Sequence, residues 1–187
     1  MLLKPDFACL NDTKKLIFTF MSERIQLLDK KQTLQKIRRI AHEILEQNFK
    51  EKEIVFVGIV DLGYVFAEML QTFFGEISSI PTRLVKIELD KLAPLQSDIV
   101  LGCELKDLED KVVILADDVL NTGRTLAYSL KPFLSVKIKK LQTAVIVNRG
   151  YSTFPIGADY VGYSLSTSIQ ETILVELSKE DTAVYLE

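Results

Sequence analysis

Residues Val112-Val113-Ile114-Leu115-Ala116 form an apolar run with no polar alternation. Such a run reads as a β-strand buried on both faces, the kind found in the middle of a parallel sheet. The run ends at two carboxylates, Asp117 and Asp118. Val119-Leu120 then lead into Asn121-Thr122-Gly123-Arg124-Thr125, after which Leu126, Ala127 and Leu130 resume at helical spacing. The order is strand, acid pair, polar loop, helix. A sheet strand feeding a helix through a short loop is the unit of a doubly wound α/β fold, in which ligands sit outside the carboxyl ends of the strands.

That order also places an anion site beside a polyol site. Backbone N–H groups at a helix start, with the Thr122 and Thr125 hydroxyls, hold a terminal phosphate, and Gly123 lets the backbone come close without a Cβ. The two carboxylates repel phosphate and suit sugar hydroxyls or a hydrated metal ion. A ribose 5-phosphate satisfies both halves. An acid pair at a strand end is also a common turn or cap, and only the TGRT sequence behind it favours the sugar-phosphate reading. A kinase or phosphatase built on the acid pair is disfavoured, because no glycine-rich loop ending in Lys-Ser/Thr accompanies it.

The stretch DDVLNTGRT, with its apolar strand in front, resembles the phosphoribosyl-pyrophosphate (PRPP) loop of the type I phosphoribosyltransferases. The resemblance is closest to the bifunctional pyrimidine operon attenuator and uracil phosphoribosyltransferase group. It extends to IRRIAHEILEQN (residues 37–48) and IVFVGIVDLG (54–63), similar to that group's first helix and first core strand. AVIVNRG (144–150) and PIGADYVGYSLSTS (155–168) are similar to its base-covering hood.

The resemblance implies a mainly parallel, doubly wound sheet with a small C-terminal hood. It also implies displacement of pyrophosphate from C1 of PRPP by a ring nitrogen of a nucleobase, with Mg2+ and in a homodimer, as in pyrimidine salvage. Carried over residue by residue, Asn121, Thr122, Gly123, Arg124 and Thr125 cradle the 5-phosphate. Asp117 and Asp118 are the catalytic pair that holds the ribose hydroxyls. Asp61, Leu62 and Gly63 form the pyrophosphate turn, and Asn148, Tyr160 and Val161 belong to the base hood. Arg39 and His42 match positions of the group's messenger-RNA-binding face. From its own surroundings in the sequence, His42, the only histidine, reads rather as a solvent-edge or satisfied core imidazole.

Several positions depart from the group's pattern. Val60-Asp61-Leu62 stand where relatives carry a lysine and an arginine before the glycine. Between Ile87 and Leu105, the expected lid, Lys91 is the only cation and no Tyr, Phe or Arg occurs. In the hood, Asn148 replaces an aspartate, Tyr151 a histidine, Gly157 an arginine and Tyr163 a lysine. These changes leave the base unassigned and admit a second reading, a regulator that senses PRPP or a nucleoside monophosphate without turning it over.

The remainder of the 187 residues fits one domain. Apolar content of 48% and charged content of 26% are those of a globular protein, and a net charge of −3 does not suggest a large nucleic-acid footprint. Cys9 and Cys103 lie far apart, as reduced thiols of a cytoplasmic protein do. No apolar stretch approaches the about 20 residues of a membrane span. Residues 1–21 read as an extension ahead of a domain over 22–187, with Met21 a candidate initiator. Helices are expected over 31–49 and from Tyr64 to about Phe74, with Val65, Leu70 and Phe73 inward. Strands are expected over 54–60, 81–89, 141–147, 173–177 and 183–186. Pro132 is expected to end the helix after the TGRT loop early.

Overall fold

The computed structural model describes residues 24–91, 98–168, 170–178 and 181–187. The N-terminal extension and part of the expected lid, residues 92–97, lie outside them. In chain order the elements are β1 (Ile25–Leu28), α1 (Lys30–Asn48), β2 (Ile54–Ile59), α2 (Leu62–Ile77), β3 (Thr82–Glu88) and β4 (Val100–Leu101). These are followed by β5 (Val112–Leu120), α3 (Arg124–Ser129), β6 (Lys140–Asn148), β7 (Tyr160–Ser164), β8 (Ile173–Leu177) and β9 (Thr182–Leu186).

A six-stranded sheet runs β4-β3-β2-β5-β6-β7, parallel except for the β3–β4 pair. The expectation of a mainly parallel, doubly wound sheet is met. β2 and β5 lie at its centre, and their side chains alternate between two cores. Ile54, Phe56, Ile114 and Ala116 face α1 and α2, whereas Val55, Val57, Val113 and Leu115 meet Leu108, Leu126 and Phe133 on the other side. Because both faces are covered, the strands carry no polar alternation.

α1 begins at a reciprocal cap. The Asp29 carboxylate accepts from Gln32 N (2.7 Å), and Gln32 Oε1 accepts from Asp29 N (2.9 Å). Ile37, Ile40, Ala41 and Ile44 then recur at three and four residues and are all buried. α2 buries Phe66, Ala67, Leu70 and Phe74. The expected inward residues Val65 and Phe73 are only partly buried, one position off the innermost stripe.

Three expectations need correction. β5 does not stop at the acid pair: it runs on to Leu120, with Asp117 opposite Val145 and Val119 opposite Val147 on β6. The parallel ladder outweighs two unfavourable strand residues. Second, residues 160–164 are not hood but the sixth strand of the main sheet, β7. Third, the small sheet is not purely C-terminal. It is an antiparallel β1-β9-β8 sheet that takes one strand from the start of the described chain and two from its end. Its Ile173, Val175, Leu177 and Val184 join the α1–α2 core.

Candidate functional site

The site residues expected at the loop and the acid pair gather at the carboxyl ends of β2, β5 and β6. Asp117 is 3% exposed and Asp118 half-buried. Asp117 Oδ1 accepts from the Asp118 N–H (3.1 Å) and lies 3.4 Å from Lys91 Nζ, which reaches in from the end of the β3 segment. Burial first, and the neighbouring Asp118 charge second, push the Asp117 carboxyl up to about 8, with Lys91 pulling the other way. Asp117 therefore holds its proton at neutral pH.

The loop that follows is shaped by glycine. Gly123 has φ +79°, and a Cβ there would lie 2.6 Å from Ile156 Cγ2, so conformation and packing both exclude a side chain. Gly123 O accepts from Ala127 N (2.9 Å) as α3 opens. Thr122 Oγ1 accepts from Arg124 N (3.3 Å), and Thr122 O accepts from Thr153 N (2.9 Å) and Phe154 N (3.0 Å), so residues 153–156 brace the loop from outside. Asp117, Val119, Leu120 and Asn121 to Leu126 line a depression of about 40 Å³. N–H groups of a first helical turn lack partners within the helix and suit an anion.

The turn after β2 abuts the acid pair from the other side. A Cβ on Gly63 would lie 2.9 Å from Ala116 O and 3.0 Å from Asp117 Oδ1, so glycine permits this approach. Leu62 is half-buried. Asp61 is exposed and has φ +71° and ψ −125°, a conformation strained for a residue with a side chain; its carbonyl accepts from Tyr64 N and Val65 N. Across the acid pair, then, the 121–125 end carries Arg124 and the 61–63 end carries a carboxylate.

The hood residues separate. Asn148 is half-buried at the end of β6, and its Oδ1 accepts from Gly150 N (2.9 Å). Tyr160 pairs with Ala144, four residues below Asn148, and is enclosed in the α1-side core at 1% exposure. Its hydroxyl accepts from Asn48 Nδ2 (3.4 Å) and donates to Gln47 Oε1 (3.1 Å), and burial pushes its pKa up to about 12. The Tyr160 ring is thus a core side chain and does not line the depression at 117–126. Asp159 likewise serves the fold, its Oδ2 accepting from Thr143 N (2.7 Å) and Thr143 Oγ1 (3.0 Å). Val161 is half-buried, and its carbonyl accepts from Arg39 Nη2 (2.7 Å), as does that of Gly162 (3.0 Å).

Arg39 also pairs with Glu43. It lines a shallow depression of about 500 Å³ with Gln35, Lys36, Arg38 and the exposed His42. Its guanidinium is already committed to three partners within the chain. Sequence reasoning missed Arg149, which is 8% exposed and donates to Asn121 Oδ1 (3.0 Å). The only signal was a cation directly after an apolar strand.

Among the described residues no group of three or more His, Cys, Asp or Glu is arranged to hold a metal. The half-buried Asp118, beside Asp117, offers one carboxylate to a Mg2+ ion held mainly by substrate oxygens and water. Among the described residues no helix is long and apolar enough to cross a membrane.

Residues 24–178 match the family described as phosphoribosyl transferase domain. The chain is 38% identical over 176 residues to the bifunctional protein PyrR of Alkaliphilus metalliredigens, covering 88% of this chain and 96% of that one. It is 37% identical to PyrR of Clostridioides difficile, covering 89% and 100%. Among solved structures, the hypoxanthine phosphoribosyltransferase of Trypanosoma cruzi superposes with a TM-score of 0.71 at 16% identity, over 86% of this chain and 94% of that one. That likeness is one of fold. Taken with the strand, acid pair and glycine-shaped loop, these matches place the chain in the type I phosphoribosyltransferase family, with PyrR proteins among its relatives.

Proposed function

We propose that the protein transfers the 5-phosphoribosyl group of PRPP to a nucleobase, with a uracil-type pyrimidine as acceptor and as a cytoplasmic homodimer. The observation that carries this is the joining of the glycine-shaped loop at 121–125 to the Asp117–Asp118 pair on one strand end. The amides and hydroxyls of Thr122 to Thr125 hold the 5-phosphate, with Asn121 at the shoulder. Asp117, carrying its proton, donates to a ribose oxygen, and the Asp118 carboxylate faces the positive charge that develops at C1. The ring nitrogen gives up its proton to water and bonds to C1 as the bond from C1 to the pyrophosphate oxygen breaks, and pyrophosphate leaves with the electron pair. Asp118 is the carboxylate that would meet Mg2+, which when bound neutralises charge on the leaving group. Gly63 and Leu62 offer backbone N–H groups to that group, and Asn148 and Val161 flank the base end.

A second reading, a sensor of PRPP or of a nucleoside monophosphate, is favoured by Asp61. An exposed carboxylate at the pyrophosphate turn repels the leaving group, and Lys91 is drawn to Asp117. A role in RNA binding would use the α1 face. Steady-state assay of pyrophosphate release from Mg2+-PRPP with each nucleobase, beside calorimetry with PRPP and nucleoside monophosphates, separates the two. Turnover with uracil supports the transferase. Binding without turnover of any base supports the sensor, and no binding of any phosphorylated ribose removes both.

A further inference from the structure

Arg149 takes no part in the scheme above, yet it is among the few buried charged side chains of the described residues. Its main-chain N–H donates to Leu120 O (3.0 Å), the last residue of β5. Its guanidinium then spans a gap. Nη1 donates to Asn121 Oδ1 (3.0 Å), Nε to Thr167 Oγ1 (2.5 Å) and Nη2 to Ser168 O (2.7 Å). Exposed Tyr151 lies beside it, with the guanidinium carbon 5.8 Å from the ring centroid.

The segment it grips follows β7 and lies against the ends of the central strands. Leu165 N donates to Asn148 O (3.1 Å), and Ser168 N donates to the Glu171 carboxylate (2.6 Å). One planar fork thus ties the shoulder of the phosphate loop to residues 167–168. Burying a guanidinium is costly, and a hydrocarbon would fill the same space at less cost. What the hydrocarbon lacks is direction. Because the donors of Arg are fixed relative to one another, a shift of Asn121 is transmitted to Thr167 and Ser168.

We infer that Arg149 is a positioning residue that couples occupancy of the 121–125 anion loop to ordering of the 165–168 segment, and so the phosphate end of the site to its base end. The coupling rests on the sugar-phosphate reading of the loop.

The test is amide hydrogen exchange on the full chain with and without saturating ribose 5-phosphate, together with calorimetry of the same ligand. In the wild type, the ligand is expected to slow exchange in both 121–125 and 165–168. In Arg149→Met it should slow only the first, with affinity lowered by about 10-fold or more, the scale of a hydrogen bond to a charged group. Arg149→Lys should fall between, since the ammonium lacks the fork. Asn121→Ala removes the other end of the link and should uncouple the segments equally, and the double variant should be no worse than either single one. Should Arg149→Met fail to fold, Asn121→Ala decides. Protection of 165–168 that persists in these variants, or that is missing in a wild type whose loop is protected, overturns the coupling alone. A wild type that does not bind ribose 5-phosphate removes the sugar-phosphate reading and the coupling with it.

Discussion

Replacing Asp117 by Asn should stabilise the unliganded protein, and the gain should grow with pH. The folded carboxyl titrates at about 8 against an ordinary 3.8. Below pH 3.8 it is protonated in both folded and unfolded chains, and its contribution to stability is then fully present. As pH rises towards 8, the unfolded chain ionises freely while the folded one resists, so stability is lost progressively. At pH 7 the span from 3.8 is about 3 units, or about 4 kcal/mol at 1.36 kcal/mol per unit. Asn keeps the oxygen that accepts from Asp118 N, and the value of about 8 already includes the opposing pull of Lys91, so no separate ion-pair loss is subtracted. The gain of about 4 kcal/mol corresponds to a rise in Tm of about 8 to 16 °C for a chain of this length. Urea unfolding of both proteins from pH 4 to pH 9, without divalent cations, measures it. A difference that is flat across this range, or that favours Asp as pH rises, would refute the assignment of a buried, proton-holding Asp117.

Other perturbations test the remaining parts of the site. Asp61→Gly relieves a strained φ of +71° and should stabilise the protein by about 1 kcal/mol, seen as a higher urea midpoint at unchanged slope. Gly123→Ala sets a Cβ 2.6 Å from Ile156 Cγ2 at φ +79° and should cost about 2 kcal/mol or more while weakening ribose 5-phosphate binding, read by thermal shift and calorimetry. Asp118→Asn should weaken ribose 5-phosphate more than inorganic phosphate, and equal losses in calorimetry would contradict its place at the sugar. Asp29→Ala removes the carboxylate that accepts from Gln32 N and should cost about 1 kcal/mol of stability without altering ligand affinity.

Much of this architecture is legible in short stretches of sequence. The runs at 54–59 and 112–116 are apolar without alternation because helices cover both faces of the sheet, and that signal is local. The TGRT loop is legible because a positive φ and a close approach both demand glycine at position 123. Long-range features are harder to read. β1 is four residues long, half of them exposed, and becomes a strand only because β9 returns to pair with it. Tyr160 looks like a site aromatic until β7 is placed beside β6, where its hydroxyl meets Asn48 on α1. Arg149 and Lys91 have the same limitation, since each draws its meaning from a partner 26 to 28 positions away.

The donation of Arg39 to the carbonyls of Val161 and Gly162 has a bearing on self-association. β7 is the outermost strand on its side, and a bare margin of that kind invites a neighbouring molecule to add on. A guanidinium already occupies main-chain acceptors on this strand. Continuous sheet growth from one molecule to the next is thereby discouraged along β7.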